Sequence, residues 1–228
     1  MFKNVDEINE DIPIQYLEGK VNFMGMDISV NDSVLIPRPE TELLVKVVLN
    51  VLEKKNNNFV LDMCTGSGNI AIALAKSLSS SKIIGVDICE KAIELAKQNA
   101  SNLKILENIN FVVSDMFMNF DNTYNGKFSC IVSNPPYVSD VDYEKVDKWV
   151  KCEPKIALYG GEEGMHYLNI LAKKSMLFLS DNGFLTLEIG YDQTDKVKNI
   201  LKEIGYKNIT SYKDFNDYER VIVGYKNG

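Results

Sequence analysis

The sequence predicts an α/β protein built on a seven-stranded, mainly parallel, Rossmann-like sheet. Short apolar runs alternate with amphipathic helical runs beyond residue 58, and a glycine-containing turn follows the first of these apolar runs. The last two apolar runs are joined without a helix. Alternation of strands and helices is typical of a parallel sheet with helices on both faces, whereas a directly joined pair of strands indicates one antiparallel strand.

The strands are predicted from short apolar runs, and the helices from apolar residues that recur at helical spacing. The seven predicted strands cover residues 59–63, 82–86, 110–113, 128–133, 184–189, 208–212 and 220–225. The predicted helices between them cover residues 69–78, 90–101, 165–179 and 194–204. Parallel strands in this order bring their carboxyl ends to one edge of the sheet, where such folds bind ligands.

A smaller N-terminal segment, with a β-hairpin and a lead-in helix, is predicted before this sheet. Large apolar residues alternate with small or polar ones over residues 21–30, which favours two short strands joined by a turn at Gly25. An apolar stripe predicts a helix over residues 40–54, and the polar run that follows is typical of a surface loop. We therefore expect a boundary between an N-terminal segment, residues 1–55, and a main domain, residues 56–228.

The composition argues against several classes of protein. The formal net charge of the 228 residues is −7, whereas surfaces that bind nucleic acid normally carry a basic excess. No apolar run approaches the roughly 20 residues that cross a bilayer, and residues 1–11 do not resemble a signal peptide. The four cysteines are scattered, which favours a cytoplasmic protein over a disulfide framework or a zinc site.

A nucleoside-containing cofactor is predicted to bind where the first strand of the sheet ends. A glycine turn at this position lets the backbone approach a ligand closely. Asp87 ends the next strand, 19 positions after Gly68, where a carboxylate can accept hydrogen bonds from ribose hydroxyl groups. The turn alone does not distinguish a dinucleotide, S-adenosylmethionine or a turn without a ligand. The candidate residues of the turn are Asp62, Cys64, Thr65, Gly66, Ser67 and Gly68.

A second acidic position favours S-adenosylmethionine, with S-adenosylhomocysteine as the product. Asp115 and Met116 follow the third predicted strand. In methyltransferases an acidic residue at this position binds the adenine amino group, and its neighbour flanks the ring. The alternative interpretation of Asp115 is a carboxylate that caps a turn or a helix.

The most specific motif is Asn134-Pro135-Pro136-Tyr137, directly after the fourth predicted strand. Two prolines cannot continue a central strand, so the motif is predicted to form a rigid loop beside the cofactor. The Asn134 side-chain oxygen and the Pro135 carbonyl can each accept one N–H of a planar NH2 group, and Tyr137 can stack on that group. We assign all four residues to the target site. Catalysis would come from orientation and preformed dipoles.

These motifs resemble those of the release-factor glutamine methyltransferases, which have the class I methyltransferase fold. The resemblance covers about residues 13–225 and includes the runs Pro-Ile-Gln-Tyr-Leu-Glu-Gly at 13–19, Ile-Pro-Arg-Pro-Glu-Thr-Glu at 36–42 and Leu-Glu-Ile-Gly at 187–190. It implies methylation of the glutamine amide in the Gly-Gly-Gln motif of a class 1 peptide chain release factor. Members of the family usually carry an N-terminal helical docking domain, which we expect to be largely absent from this chain.

Two other functions remain open from the sequence. An adenine or guanine amino-group methyltransferase acting on RNA or DNA would use the same motif, because its target is also a planar NH2 group on a base taken out of the stack. The acidic charge balance and the lack of a basic arm count against this function. A non-catalytic binding module with a vestigial site would not be expected to retain Asp87 and Asn134.

Overall fold

The structure, a computed structural model, describes residues 12–52 and 57–227 and contains two sheets. The smaller sheet is a hairpin of β1 (Lys20–Phe23) and β2 (Met26–Ser29). The larger sheet comprises β3 (Phe59–Met63), β4 (Lys82–Asp87), β5 (Ile109–Val113), β6 (Phe128–Ser133), β7 (Leu179–Glu188), β8 (Lys207–Lys213) and β9 (Glu219–Tyr225).

The larger sheet has the predicted seven strands and the predicted polarity. Its order is β5-β4-β3-β6-β7-β9-β8, and the pairs from β5 through β7 are all parallel. β9 alone is reversed relative to the other six strands, and it is antiparallel to both of its neighbours, β7 and β8. The expected antiparallel strand at this end of the sheet is therefore confirmed, and it lies one position inside the edge.

Helices pack on both faces of this sheet. The eight α-helices of the described residues are α1 (Ile14–Glu18), α2 (Thr41–Leu52), α3 (Asn69–Ser77), α4 (Glu90–Asn102), α5 (Asp140–Lys145), α6 (Lys155–Leu158), α7 (His166–Phe178) and α8 (Thr194–Ile204). The apolar residues of α2, α3 and α4 join one buried cluster, and those of α7 and α8 join another. Val60 belongs to the first cluster and Leu61 to the second, because successive side chains of a strand point to opposite faces.

The predicted hairpin is present and is fixed to the main sheet through α4. The Asn99 side chain donates to the carbonyls of Ser29 (3.0 Å) and Ser67 (2.9 Å). Its amide oxygen accepts from the Ser29 N–H at 2.9 Å. Asn99 is buried, so these bonds replace those that water would have made. One side chain thus connects the hairpin to the turn after β3.

Some elements differ from the sequence prediction. β7 begins at Leu179, directly after α7, and its pairing with β6 shifts between Phe128 and Cys130. The short helices α1, α5 and α6 were not predicted, because four to six residues are too few for a helical period to be recognised. The predicted end of the lead-in helix, at residues 53–54, and the domain boundary at 55–56 lie outside the described residues.

None of the helices that the structure describes has the length and apolar composition required to span a membrane.

The turn between β3 and α3 is held by a buried carboxyl group. Asp62 is fully buried, and its Oδ2 accepts from the Thr65 hydroxyl (2.6 Å) and the Ala71 N–H (3.1 Å). Its Oδ1 has no hydrogen-bond partner within residues 12–52 and 57–227. Burial raises the pKa of Asp62 to about 7, although both donors oppose this change. The Asp62 carboxyl therefore fixes the turn, and the free-energy cost of burying it increases as it ionises.

The free energy of unfolding should fall as the pH rises from about 4 to 7, because Asp62 ionises in this range. We expect this fall to be smaller in Asp62→Asn. The carboxyl pKa is 3.8 in the unfolded reference and about 7 in the folded protein, so folding favours the protonated form and loses stability as the pH rises. This difference corresponds to an upper value of about 4 kcal/mol. Asparagine retains an oxygen for Thr65 and Ala71 but does not ionise. Urea unfolding at several pH values measures the difference.

Asp121→Asn is the matched control for this experiment. Asp121 is exposed, and its pKa is lowered by the Thr123 hydroxyl and N–H. Its replacement should therefore leave the dependence of the free energy of unfolding on pH unchanged above pH 4. If the free energy of unfolding depends on pH in Asp62→Asn as it does in the wild type, Asp62 does not titrate in this range.

Candidate active site

A cleft with two adjacent parts, which share the lining residues Leu35, Arg38, Asn134 and Ala157, lies at the carboxyl ends of β3, β4, β5 and β6. The larger part contains about 900 Å³ of space, including space open to solvent. A smaller pocket of about 350 Å³ is lined by Asn134, Pro135, Tyr137 and Glu188. Asn134 lines both parts. The predicted residues that line the larger part are Cys64, Thr65, Gly66, Ser67, Asp87, Asp115, Met116, Asn134 and Pro136.

Two of the predicted cofactor residues do not line the cleft. Asp62 lies behind the turn, where it holds Thr65 and Ala71. Gly68 has a φ of +80°, and a Cβ at this position would lie 2.9 Å from the Cβ of Ala96. A glycine here therefore permits both the left-handed backbone and the close approach of α3 to α4. The structure gives both residues the role of shaping the turn.

Asp87 links the glycine turn to the end of β4. Its Oδ2 accepts from the Gly66 N–H at 2.9 Å, and its Oδ1 accepts from the Cys89 N–H at 3.0 Å. Burial raises the pKa of Asp87, and these N–H donors oppose the increase. Because each carboxylate oxygen has two acceptor positions, Asp87 can also bind hydroxyl groups of a ligand in the cleft.

Asp115 and Met116 form the far wall of the larger part. The Ser114 hydroxyl donates to the Met116 carbonyl at 3.0 Å, and Met116 has a φ of +47°. This tight turn keeps Met116 buried, whereas Asp115 is exposed and faces the cleft. An apolar side chain next to an accessible carboxylate is suited to a flat ring that carries an amino group.

The loop after β6 is held firmly from its outer side. Gln193 donates to the carbonyls of Tyr137 (2.9 Å) and Gly164 (3.2 Å). Gly164 has a φ of +70°, and a Cβ there would lie 2.2 Å from the Tyr137 carbonyl oxygen. The Asn134 Nδ2 donates to the Thr41 hydroxyl oxygen at 3.1 Å, and among residues 12–52 and 57–227 no group donates to the Asn134 Oδ1. The loop therefore presents an acceptor in a fixed position.

Tyr137 has a hydrogen bond that the sequence did not predict. Its hydroxyl donates to Glu188 Oε1 at 3.3 Å, and burial raises the pKa of the Tyr137 hydroxyl. Glu188 is itself buried, and its pKa is raised to about 7. Tyr137 lines the smaller pocket, where an aromatic residue could stack on a planar group.

A partly buried ion pair, which the sequence did not predict, forms one wall of the site. Arg38 lines both parts of the cleft and pairs with Glu153, whose side chain is fully buried. Glu153 Oε2 also accepts from the Ile36 N–H at 2.8 Å. The Ile-Pro-Arg-Pro-Glu-Thr-Glu run and Glu153-Pro154 were visible in the sequence, but their contact spans more than 100 residues, so no local pattern indicates it.

Within the described ranges, no group of three or more His, Cys, Asp or Glu side chains could hold a metal ion.

The chain is similar to known methyltransferases over most of its length. A family model described as a methyltransferase domain matches residues 54–205. The chain is 41% identical to the release factor glutamine methyltransferase of Buchnera aphidicola over 214 residues, which cover 94% of this chain and 76% of that protein. It is 39% identical to the release factor glutamine methyltransferase of Fusobacterium nucleatum over 215 residues, which cover 94% of this chain and 60% of that protein.

The fold is shared with solved methyltransferases. A methyltransferase from Pyrococcus furiosus has a TM-score of 0.69 to this chain, with 17% identity, over 94% of this chain and 98% of that one. The likeness supports the predicted class I methyltransferase sheet. From its sequence identity to curated relatives, together with the matching domain, this chain belongs to the release factor glutamine methyltransferase family.

Proposed function

We propose that this protein transfers a methyl group from S-adenosylmethionine to the side-chain amide nitrogen of the Gly-Gly-Gln glutamine in a class 1 peptide chain release factor. The single observation that carries this proposal is that Asn134 lines both the larger cleft and the smaller pocket. A methyl donor in the larger cleft and an amide in the smaller pocket would therefore meet at one residue. The relatives' names supply the protein substrate.

The side chains of the larger cleft fit S-adenosylmethionine. Asp87 can accept from the ribose hydroxyl groups and Asp115 from the adenine amino group. Ile88 lines the cleft with 49% of its surface exposed, and with Met116 it offers apolar contacts to the adenine ring. When bound, the cofactor supplies a methyl group on a positively charged sulfur.

The residues of the smaller pocket hold and orient the target amide. The Asn134 Oδ1 and the Pro135 carbonyl each accept one of its N–H groups, and the Tyr137 ring covers its face. These contacts direct the nitrogen lone pair toward the larger cleft. A glutamine amide is a weak nucleophile, so fixed geometry and preformed dipoles supply most of the catalysis. No base is needed before attack, since the nitrogen loses its extra proton after transfer.

The proposed substrate also suggests where the protein acts. Release factors work in translation, so we infer a cytoplasmic location and expect neither nucleic acid nor a membrane as a direct partner.

We expect Asn134→Ala to reduce methyl transfer by about 100-fold or more, because it removes one of two acceptors that position the target nitrogen. The affinity for S-adenosylmethionine should change much less, since the cofactor also contacts Asp87 and Asp115. Titration calorimetry measures the cofactor affinity, and single-turnover transfer from labelled cofactor measures the chemistry. Asn122→Ala, an exposed asparagine in the turn before β6, is the matched control. Full turnover in Asn134→Ala would refute the role of this side chain.

A second experiment identifies the substrate. Purified protein, labelled S-adenosylmethionine and a class 1 release factor should yield one labelled site, and the label should disappear when the glutamine of the Gly-Gly-Gln motif is replaced by alanine. Mass spectrometry of the tryptic peptide locates the methyl group. Incorporation of the label into RNA, with none in the release factor, would instead support methylation of a base amino group.

A further inference from the structure

We propose that Thr41 and Glu188 are positioning residues that keep the Asn134 side chain turned so that its oxygen faces the target. The proposal rests on the methyl-transfer function proposed above and extends it to two residues outside the Asn-Pro-Pro-Tyr motif. Thr41 is the first residue of α2, and Glu188 is the last residue of β7. Both are buried, with 2% and 1% exposure. Thr41 lines the larger part of the cleft and Glu188 lines the smaller pocket.

The need for such a device follows from the chemistry of the Asn134 amide. Its two ends have nearly the same shape, but only the oxygen can accept an N–H of the target. A side chain rotated by half a turn would present its own NH2 group to the target NH2 and repel it. The bond from Nδ2 to the Thr41 Oγ1, 3.1 Å long, selects the productive orientation.

Thr41 can select this orientation only if its hydroxyl proton points elsewhere. A hydroxyl group is both donor and acceptor, so it could pair with either end of the amide. The Thr41 hydroxyl also interacts with the Glu188 carboxyl and lowers the pKa of that carboxyl, as a donor to a carboxylate does. Glu188 Oε2 accepts no regular hydrogen bond within the described ranges, so the carboxylate has acceptor capacity for this proton. In the proposed arrangement the Asn134 amide donates to the Thr41 hydroxyl oxygen, as observed, and the Thr41 hydroxyl donates to the Glu188 carboxylate.

The same carboxyl also holds the other end of the motif. The Tyr137 hydroxyl donates to Glu188 Oε1 at 3.3 Å. The other charged groups that act on Glu188 are Arg220 from β9, which lowers its pKa, and Glu40, which precedes α2 and raises it. Arg220 is fixed in turn by the Ile189 carbonyl at 2.9 Å. In the proposed arrangement one buried carboxyl thus holds Tyr137 directly and Asn134 through Thr41.

The ionisation of Glu188 makes this orientation sensitive to pH. Its pKa is raised to about 7 by burial. In the protonated form Glu188 can itself donate to Thr41, which frees the Thr41 proton to pair with the Asn134 oxygen. The rotated amide is then stabilised, and the productive one is lost. Methyl transfer should therefore decrease as the pH falls through about 7.

The first test compares Thr41→Val with Thr41→Ser in steady-state methyl transfer to the release factor. Thr41→Val preserves the shape but removes the acceptor, and should lower kcat about 10-fold or more with KM and cofactor affinity within about 3-fold. Thr41→Ser restores the hydroxyl and should recover most of the rate. Thr186→Val, which alters a buried threonine near the end of β7, is the matched control for loss of a buried hydroxyl. A wild-type kcat in Thr41→Val, or no recovery in Thr41→Ser, would overturn the proposal.

The second test separates a positioning role from a structural one through the pH profile. The wild-type rate should rise to a plateau above about pH 7, the pKa of Glu188. Glu188→Gln cannot ionise, and its NH2 group can donate to Thr41, so its rate should be low and should lack this rise. A destabilised protein would lose activity at all pH values without removing the rise. Persistence of the rise in Glu188→Gln would therefore contradict the proposal.

A third measurement needs no substrate, so it separates this proposal from the proposed function. In protein labelled with 15N-asparagine, the Asn134 side-chain amide resonance, assigned with Asn134→Ala, should shift between about pH 6 and 8 as Glu188 ionises. The shift should be absent in Glu188→Gln. An invariant resonance in the wild type would overturn the positioning role. A normal shift in a protein that methylates no release factor would leave the positioning role intact and refute the proposed function.

Discussion

The register of three neighbouring parallel strands is the constraint on which the site depends. Ser133, the last residue of β6, lies opposite Met63 of β3 and Leu187 of β7. The residues that follow them, Asn134, Cys64 and Glu188, therefore lie side by side at this edge of the sheet. A strand slipped by one residue would turn its side chains to the opposite face. The apolar residues on both faces resist such a slip, so the two cores also determine the geometry of the site.

The sequence was sufficient to predict most of the sheet and most of the residues that line the larger part of the cleft at the glycine turn. The signals there are local: an apolar strand, a glycine turn, and an acidic residue after the next strand. The partners of the catalytic loop could not be predicted in this way. Thr41 contacts Asn134 across 93 residues, and Tyr137 contacts Glu188 across 51. The sequence near Glu188 does not distinguish a carboxyl that contacts the Asn-Pro-Pro-Tyr motif from any other buried carboxyl. That contact depends on which residues the sheet places beside Glu188.

Buried polar groups carry much of the specificity of this fold, in addition to its apolar cores. Asn99 joins the hairpin to the glycine turn, and Glu153 joins Arg38 to the loop beyond the catalytic motif. Removing one partner of a buried pair leaves an unsatisfied group, which costs more than the pair contributes. Such contacts therefore favour only the arrangement in which both partners, from distant segments, meet. Here they position the walls of a ligand site.

The wall formed by the N-terminal segment has a practical consequence for defining the smallest functional unit. The family match spans residues 54–205, but Val34, Pro37 and Arg38 line the larger cleft, and the Thr41 hydroxyl oxygen accepts from the Asn134 side chain. The match also ends before β8 and β9, which contain Arg220. A fragment cut to the matched range would retain the glycine turn and lose a side of the cavity. The boundaries of a recognisable domain and those of a working catalyst are therefore different in this protein.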